Sequence, residues 1–433
     1  MLNKIREKSF WLIDKIFNSN QITKNINEIK LINNSSMSEN INQIYQINLT
    51  NILKHASNKS EFYKDLDFSS LKNFPVINKT IINKDHSKFL TSNSDNLFKT
   101  TTSGSTGTPL IIYQDKVKRD RHKADNIYFN EFSGLKIGSK LYYFRVWNKK
   151  NSKNFLTKWF QNIEMVDISL MTTESLDKLL NIMINDTSEK SILSFASSLD
   201  VLKNHCYNMK VDLTHLQLKC IISMSEALAT DTRKFLEENI MCNVVSRYSN
   251  MENGFIAQQK VDSSDYLINQ ASFLVETLEL DSDTPVMDNK MGRIVVTDLF
   301  NYGMPIIRYD TGDIGIKGVD ENDKPILKSI EGRRIDFITN TNGELLSPHT
   351  ITNSMWFFAE ELNQFQFIQK TSKEYTLKLN MKKLDNKIHI NKIQDKLIPF
   401  LGKDAILEIE YVNEIPLLDS GKRKKVVNLM TKK

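Results

Sequence analysis

Short apolar runs alternate with amphipathic stretches between residues 110 and 260. The apolar runs are rich in β-branched and aromatic residues and predict strands over residues 141–147, 192–195, 219–223 and 243–248. The amphipathic stretches between them predict helices over residues 175–185, 198–208 and 229–239. Because strand and helix follow each other in turn, the pattern predicts an α/β region with a mainly parallel sheet covered by helices.

The pattern changes twice after this region. Residues 265–330 are dominated by strands, with apolar runs at 292–297 and 306–309, and predict a small β-rich subdomain. Beyond Gly332, residues 365–369 and 375–379 predict a β-hairpin, residues 393–401 a helix and residues 406–411 a strand. We therefore predict a large N-terminal domain over 1–331, with a helical lead-in over 1–70, and a small, mobile α+β domain over 332–433.

The first 18 residues predict an amphipathic helix. The apolar residues 10–13 are flanked by Lys8, Asp14 and Lys15, so no uncharged run reaches the roughly 18 residues of a membrane-spanning helix. We expect this helix to pack on the body of the protein, and we expect no stable membrane insertion. Weak contact with a membrane surface is an alternative that the sequence does not support further.

Composition excludes several classes of protein. The chain has 433 residues, of which 40% are hydrophobic and 25% charged, as in soluble globular proteins. Its net charge of +6 is small and dispersed, so nucleic acid is not a predicted partner. Three sparse cysteines, Cys206, Cys220 and Cys242, form neither a disulfide framework nor a zinc motif. Together with the lack of a signal peptide, they predict a cytoplasmic protein.

A segment rich in hydroxyl side chains lies at residues 100–110, where seven of eleven residues are Ser or Thr and two are Gly. Hydroxyls donate hydrogen bonds to phosphate oxygens, and glycine lets backbone N–H groups approach closely. The segment lacks the G-x-x-x-x-G-K-[ST] spacing of a P-loop, which excludes that class of NTPase. Taken alone, the segment is equally consistent with a polyphosphate site and with a solvated loop.

The segment resembles the phosphate-binding signature of the adenylate-forming superfamily, which includes acyl-CoA synthetases and peptide-synthetase adenylation domains. Residues 103–109 match S-G-[ST]-T-G-x-P. Leu110 stands where many members have Lys, a departure typical of the phenylacetate–CoA ligase and capsular polysaccharide biosynthesis branch. The resemblance assigns nucleotide binding to Thr102, Ser103, Gly104, Ser105, Thr106 and Gly107.

Further motifs follow in the order and spacing of that family. Residues 223–227 match the turn beside adenine, which implies nucleotide contacts from Ser225, Glu226 and Ala227. Residues 248–254 resemble Y-[GS]-x-[TS]-E. This match implies that Tyr248 and Ser249 contact the nucleotide and that Glu252 binds Mg²⁺, the only metal that we predict. Met251 replaces the usual hydroxyl before Glu252. In isolation, both segments are ordinary turns.

The last three motifs span the predicted domain junction and the C-terminal segment. Residues 308–315 contain T-G-D, and the resemblance implies that Asp313 accepts hydrogen bonds from the ribose hydroxyls. Residues 332–336 match G-R-x-x-D, which places Arg333 at the hinge and near the nucleotide. Residues 420–422 form an S-G-K loop. The resemblance implies that Lys422 is catalytic, with Thr106 and Glu252. The alternative for this segment is a solvated basic tail, to which we assign Lys424 and Lys425.

Two functional hypotheses remain. The first is an adenylate-forming ligase of the acid–thiol type, with ATP and Mg²⁺ as cofactors, a small carboxylic acid as substrate, and CoA, a carrier phosphopantetheine or an amine as acceptor. Phe144, Trp147, Phe195 and Ser197 are predicted to line the acid pocket, and the branch suggests surface-polysaccharide biosynthesis by analogy. The second is a catalytically silent binding or scaffold protein, for which Leu110 and Met251 are the only support.

Overall fold

The computed structural model describes residues 2–34, 39–101, 109–147, 149, 151–358, 361–382, 390–418 and 423–430. The predicted phosphate loop from Thr102 to Gly107, and Lys422, lie outside the described residues.

In the described part of the chain, the α-helices lie between residues 2 and 240 and again between residues 348 and 401. They are α1 (Leu2–Phe17), α2 (Gln21–Asn34), α3 (Glu39–Lys59), α4 (Lys79–Lys84), α5 (Lys116–Ser133), α6 (Phe155–Gln161), α7 (Thr173–Asn185), α8 (Ala196–Met209), α9 (Thr230–Ile240), α10 (Pro348–Trp356) and α11 (Ile390–Leu401).

The strands are concentrated after residue 140. They are β1 (Phe98–Thr101), β2 (Ile111–Gln114), β3 (Lys140–Arg145), β4 (Ile163–Asp167), β5 (Lys190–Phe195), β6 (Leu218–Met224), β7 (Asn243–Asn250), β8 (Gly254–Gln259), β9 (Tyr266–Ile268), β10 (Phe273–Leu278), β11 (Met291–Asp298), β12 (Tyr309–Val319), β13 (Pro325–Arg333), β14 (Ile338–Thr339), β15 (Leu345–Leu346), β16 (Leu362–Gln369), β17 (Glu374–Met381), β18 (Ile406–Tyr411) and β19 (Val426–Asn428).

The chain forms two compact units. The first comprises Met1–Ser139, Leu156–Asn162 and Val245–Ile330, and the second comprises Lys140–Phe155, Ile163–Val244 and Glu331–Lys433. The predicted domain boundary between 331 and 332 stays a prediction.

The first unit combines the N-terminal helices with antiparallel strands in the order β10-β11-β12-β13-β9-β8-β7. Helix α5 begins where the Asp115 carboxylate accepts a hydrogen bond from Lys118 N and ends at Gly134, which has a φ of 108°. Its apolar side packs with α2 on strand β8, where Phe129 stacks on Phe255 at 4.4 Å between ring centroids. This packing fixes the strand that leaves the Glu252 turn.

The second unit contains the predicted parallel α/β region. Strands β3, β4, β5 and β6 run parallel in the order β6-β5-β3-β4, and α7, α8 and α9 supply apolar residues to the same core. The C-terminal segment forms a sheet in the order β18-β17-β16-β19, with α10 and α11 packed on its core. The hairpin, the helix and the strand predicted there are confirmed.

One predicted strand begins later than expected. Ile306 and Ile307 are fully buried but lie before β12, which begins at Tyr309. Arg308, between them and the strand, has a φ of 52°, a left-handed conformation that interrupts extended backbone. The apolar run therefore predicted the burial of residues 306 and 307 correctly, but these two residues lie outside a strand.

Candidate functional site

The T-G-D motif is a bulge within β12. Val295 of β11 pairs with Asp310, and Arg293 pairs with Ile314, so residues 311–313 lie opposite the single residue 294. Gly312, at the tip, has a φ of 76°, which favours glycine. Bulges of this kind re-aim side chains out of the regular sheet alternation.

Side chains of the motif itself hold this bulge. The Thr311 hydroxyl donates to Ile294 O at 2.9 Å and accepts from Asp313 N at 3.1 Å. The Asp310 carboxylate accepts from Gly312 N at 2.9 Å and pairs with the Arg293 guanidinium at 2.6 Å. The Thr and Asp residues around the glycine therefore build the loop that presents Asp313.

Tyr248 lies next to this bulge. Its hydroxyl donates to Asp313 Oδ2 at 2.7 Å and approaches Thr311 Oγ1 at 3.2 Å. The pKa of Tyr248 is raised well above its usual value. Burial is the largest cause, and the negative charge of Asp313 is the second. The phenol is therefore neutral at physiological pH and serves as a hydrogen-bond donor.

A second tyrosine–carboxylate pair is adjacent. Tyr309, which begins β12, donates from its hydroxyl to Glu252 Oε1 at 3.1 Å. The pKa of Tyr309 is raised, mainly by burial and secondly by the negative charge of Glu252. Glu252 also acts on Tyr248, and Asp313 on Tyr309, so the two carboxylates and the two phenols form one electrostatic cluster, hereafter the Tyr–carboxylate cluster.

Glu252 lies in the tight turn that joins β7 to β8. In this turn Asn253 is buried, and its backbone N–H donates to Asn250 Oδ1 at 2.7 Å. Met251, which replaces the usual hydroxyl, is exposed. Ser249 pairs with Phe255 across the base of the turn. The turn thus holds the Glu252 backbone while Tyr309 orients its carboxylate.

The turn rests on His122 of α5. A Cβ placed on Gly254, whose φ is 106°, would lie 2.6 Å from His122 Nδ1. Burial, with the charges of Lys118 and Arg247, lowers the pKa of His122 to about 4, so its ring is neutral at physiological pH. The sequence motifs assign no role to His122 or Tyr309. No local motif shows that α5 packs beneath the turn, and none shows that Tyr309 faces the carboxylate of Glu252, which is 57 residues away in the chain.

Gly254→Ala is expected to destabilise the turn that carries Glu252. The left-handed φ costs on the order of 1 kcal/mol for a residue with a Cβ, and the contact with His122 adds to it. We expect a loss of about 2 kcal/mol in urea unfolding. The variant Gly254→Ala/His122→Ala, which removes the imidazole, should recover part of the loss. Equal stability of Gly254→Ala and the wild type would contradict this account of the turn.

The predicted adenine-side residues lie in the second unit. Ser225, Glu226 and Ala227 follow β6 directly, and Ser225 has a φ of 69°. Glu226 Oε2 accepts a hydrogen bond from Ser197 N at 3.0 Å at the start of α8, where a carboxylate complements the helix dipole. Ser225 and Ala227 are exposed. The nucleotide contacts of these three residues stay predictions.

Arg333 ends β13 in an exposed position of the same unit, next to Gly332, which has a φ of 101°. Its hinge role also stays a prediction. The structure thus brings Tyr248, Glu252 and Asp313 together in the first unit, and places Ser225–Ala227 and Arg333 in the second.

Two other sequence expectations need correction. Phe144 was expected to line the acid pocket, but it is fully buried in the core formed with α7 and α8. Lys425 was expected to be part of a solvated tail, but its ammonium lies 2.7 Å from Asp200 Oδ2, and Lys424 pairs with Asp336 at 2.5 Å. Both lysines, which directly precede β19, therefore form ion pairs within the second unit.

Metal-binding side chains do not form a cage in the described part of the chain. There, no group of three or more His, Cys, Asp or Glu side chains is arranged to hold a metal ion. Mg²⁺ in nucleotide sites takes one or two carboxylates, with phosphate oxygens and water filling the remaining positions. Glu252, half-buried and oriented by Tyr309, has the donor chemistry for that arrangement.

Comparison with solved structures identifies the fold as that of the adenylate-forming ligases. A 2-hydroxyisobutyryl-CoA ligase in the postadenylation state, in complex with 2-HIB-AMP, superposes with a TM-score of 0.71 at 16% identity, covering 91% of this chain and 90% of that one. ATP-bound MatB from Rhodopseudomonas palustris superposes with a TM-score of 0.57 at 15% identity, covering 78% and 68%.

Sequence comparison finds similarity to CapK proteins. Residues 338–429 match the CapK C-terminal domain. Protein CapK of Staphylococcus aureus is 23% identical over 441 residues, covering 96% of this chain and 94% of that protein. The resemblance to the adenylate-forming superfamily, and the fold class predicted from the sequence, are confirmed.

Proposed function

We propose that this protein is an ATP-dependent ligase that activates a carboxylic acid as its acyl-adenylate and transfers the acyl group to CoA, a carrier phosphopantetheine or an amine. The observation that carries the proposal is the Tyr–carboxylate cluster, in which Tyr248, Tyr309, Glu252 and Asp313 are held by a turn and a bulge. Two proteins of similar fold support the proposal by the ligands in their structures. A 2-hydroxyisobutyryl-CoA ligase is in complex with 2-HIB-AMP and CoA, and MatB is bound to ATP.

Asp313 is the proposed ribose ligand. A carboxylate has two acceptor oxygens and no donor, so it suits two neighbouring hydroxyls. In the structure Asp313 Oδ2 accepts a hydrogen bond from the neutral Tyr248 phenol, which keeps the carboxylate in place beside the tip of the bulge. Tyr248 is the proposed partner of the adenine ring, and Ser249 and residues 225–227 the further nucleotide contacts.

Glu252 is the proposed Mg²⁺ ligand. The ion, when bound, would neutralise phosphate charge during attack on the α-phosphorus. Thr102, Ser103, Ser105 and Thr106 are proposed to hold phosphate oxygens, aided by close backbone approach at Gly104 and Gly107. Lys422 is proposed to stabilise the charge that develops as pyrophosphate leaves, and Arg333 to lie at the hinge between half-reactions. The branch suggests surface-polysaccharide biosynthesis as the setting.

The proposal is tested by ATP–pyrophosphate exchange with purified protein across a panel of carboxylic acids. We expect exchange that depends on one acid and falls roughly 10²- to 10³-fold in Lys422→Ala, because a group that acts on developing charge contributes about that much. Lys403→Ala, an exposed lysine of the same C-terminal segment, is the matched control and should retain full exchange.

A silent scaffold gives a different result. Such a protein would bind ATP without exchange for any acid, and its function would be unchanged in Lys422→Ala. The retained Glu252, Asp313 and Lys422 favour the ligase.

A further inference from the structure

Helix α1 presents an apolar stripe to solvent. Leu2, Ile5, Leu12, Ile13 and Ile16 recur at helical spacing on one side of the helix, and all five are exposed. Leu12 is 56% and Ile16 62% exposed. The sequence predicts that this helix packs on the body of the protein. Phe10 and Trp11 do so, against the core that α2 shares with α5 and β8, whereas the five residues of the stripe stay exposed.

The orientation of α1 is fixed from its other side. Asp14 is buried, and its carboxylate accepts from Ile22 N at 3.1 Å and from Thr23 N at 3.0 Å at the start of α2. Near the other end, Arg6 donates from Nε to Trp159 O at 2.9 Å, and its guanidinium lies 5.3 Å from the indole centroid. These anchors hold the apolar stripe outward.

Basic residues flank the stripe. Lys4, Lys8 and Lys15 share one side of α1, and no acidic side chain among the described residues lies within ion-pair distance of them. Between α1 and α2, Lys8 and Lys15 border a groove of about 500 Å³ that Trp11, Leu12 and Ile26 also line. Trp159, half exposed on α6, adds an indole beside Arg6.

We propose that this surface, the α1 face of Leu2, Ile5, Leu12, Ile13, Ile16, Lys4, Lys8 and Lys15, binds reversibly to an anionic lipid bilayer. An exposed apolar stripe bordered by lysines is the composition of helices that lie in the membrane interface. Lysines near a bilayer surface are attracted to acidic headgroups, and indoles such as Trp159 favour the interface. Among the described residues, no helix has the length and hydrophobicity of a membrane span.

Charge decides between a bilayer and a second copy of this chain. A symmetric contact between two α1 faces would bring like-charged lysines together across a small interface, which opposes association. An acidic lipid surface neutralises those same lysines while the stripe enters the headgroup region. An anionic bilayer is therefore the binding partner that fits both the apolar stripe and the lysines beside it.

The test is co-sedimentation of the full chain with sucrose-loaded vesicles. We expect binding to phosphatidylglycerol–phosphatidylcholine vesicles that is at least about tenfold stronger than to phosphatidylcholine alone and that weakens with added salt. Leu12→Ser/Ile16→Ser should lower binding at least about tenfold. Lys4→Gln/Lys8→Gln/Lys15→Gln should lower it roughly a hundredfold, whereas the three Lys→Arg substitutions should preserve it.

Ile182→Ser is the matched control, because Ile182 is 57% exposed on α7 and lies outside the α1 face. Thermal unfolding confirms that each variant is folded. The proposal is overturned by equal binding to both vesicle types, or by equal losses in Ile182→Ser and Leu12→Ser/Ile16→Ser. It is also overturned if light scattering shows a dimer that Leu12→Ser/Ile16→Ser dissociates and vesicles do not bind, since the occupant would then be a second copy.

Discussion

Glu252→Gln is expected to lower acid-dependent ATP–pyrophosphate exchange by roughly 10²- to 10³-fold while leaving the stability of the protein unchanged. The amide keeps an oxygen that accepts the hydrogen bond from Tyr309, so the turn between β7 and β8 is retained. It lacks the negative charge that the proposed Mg²⁺ site requires. The measurement is exchange at saturating ATP and over a series of Mg²⁺ concentrations.

Tyr309→Phe separates charge from positioning. It removes the hydrogen bond to Glu252 and keeps the carboxylate, so we expect a loss of about tenfold, which corresponds to the lower end of the range of about 1.5–3 kcal/mol for a hydrogen bond to a charged group. If Glu252→Gln retains as much exchange as Tyr309→Phe, the negative charge of Glu252 has no part in the reaction and the metal assignment is wrong.

Arg308→Met is expected to destabilise the first unit by about 3–5 kcal/mol. The Arg308 guanidinium contacts both oxygens of Glu276, at 3.1 Å each, and donates to Phe74 O at 3.1 Å. The side chains of Arg308 and Glu276 are only 7% and 18% exposed, so methionine would leave a largely buried carboxylate without its partner. Urea unfolding, followed by fluorescence, measures the effect.

The double variant Arg308→Met/Glu276→Gln provides the control. Because it removes the stranded charge as well, we expect it to be more stable than Arg308→Met. Together with the single variant Glu276→Gln, it completes the double-mutant cycle that measures the coupling between the two side chains. A loss below about 1 kcal/mol in Arg308→Met would show that water compensates Glu276. Since Arg308 directly precedes Tyr309, we also expect reduced exchange at temperatures where the variant is still folded.

These two predictions depend on different kinds of information. Glu252 and Asp313 were identified from short motifs, because a turn and a T-G-D segment carry recognisable residues in a fixed order. Arg308 begins the segment that contains T-G-D, and the motif gives it no role. Its left-handed backbone and its pairing with Glu276, 32 residues earlier, depend on how β10 and β12 come together in the first unit.

The sequence by itself determined the order of elements in the second unit and the nature of the C-terminal segment. There, hydrophobic periodicity corresponds to burial, so strands β3, β5 and β6 and helices α7, α8 and α9 lie close to their predicted ranges. It also supplied the motifs from which the candidate site residues are predicted, since those residues stand close together in short segments. Periodicity failed at residues 306–307, which are buried but lie outside a strand.

Only the tertiary structure decided which groups surround the site residues and which apolar side chains stay outside. The pairing of Tyr309 with Glu252, the packing of His122 beneath Gly254 and the exposure of the α1 stripe all join or separate segments that are distant in the sequence. An amphipathic pattern shows that a helix has an apolar side. Whether that side meets protein or solvent depends on the anchors opposite it, here Asp14 at the start of α2 and Arg6 against Trp159.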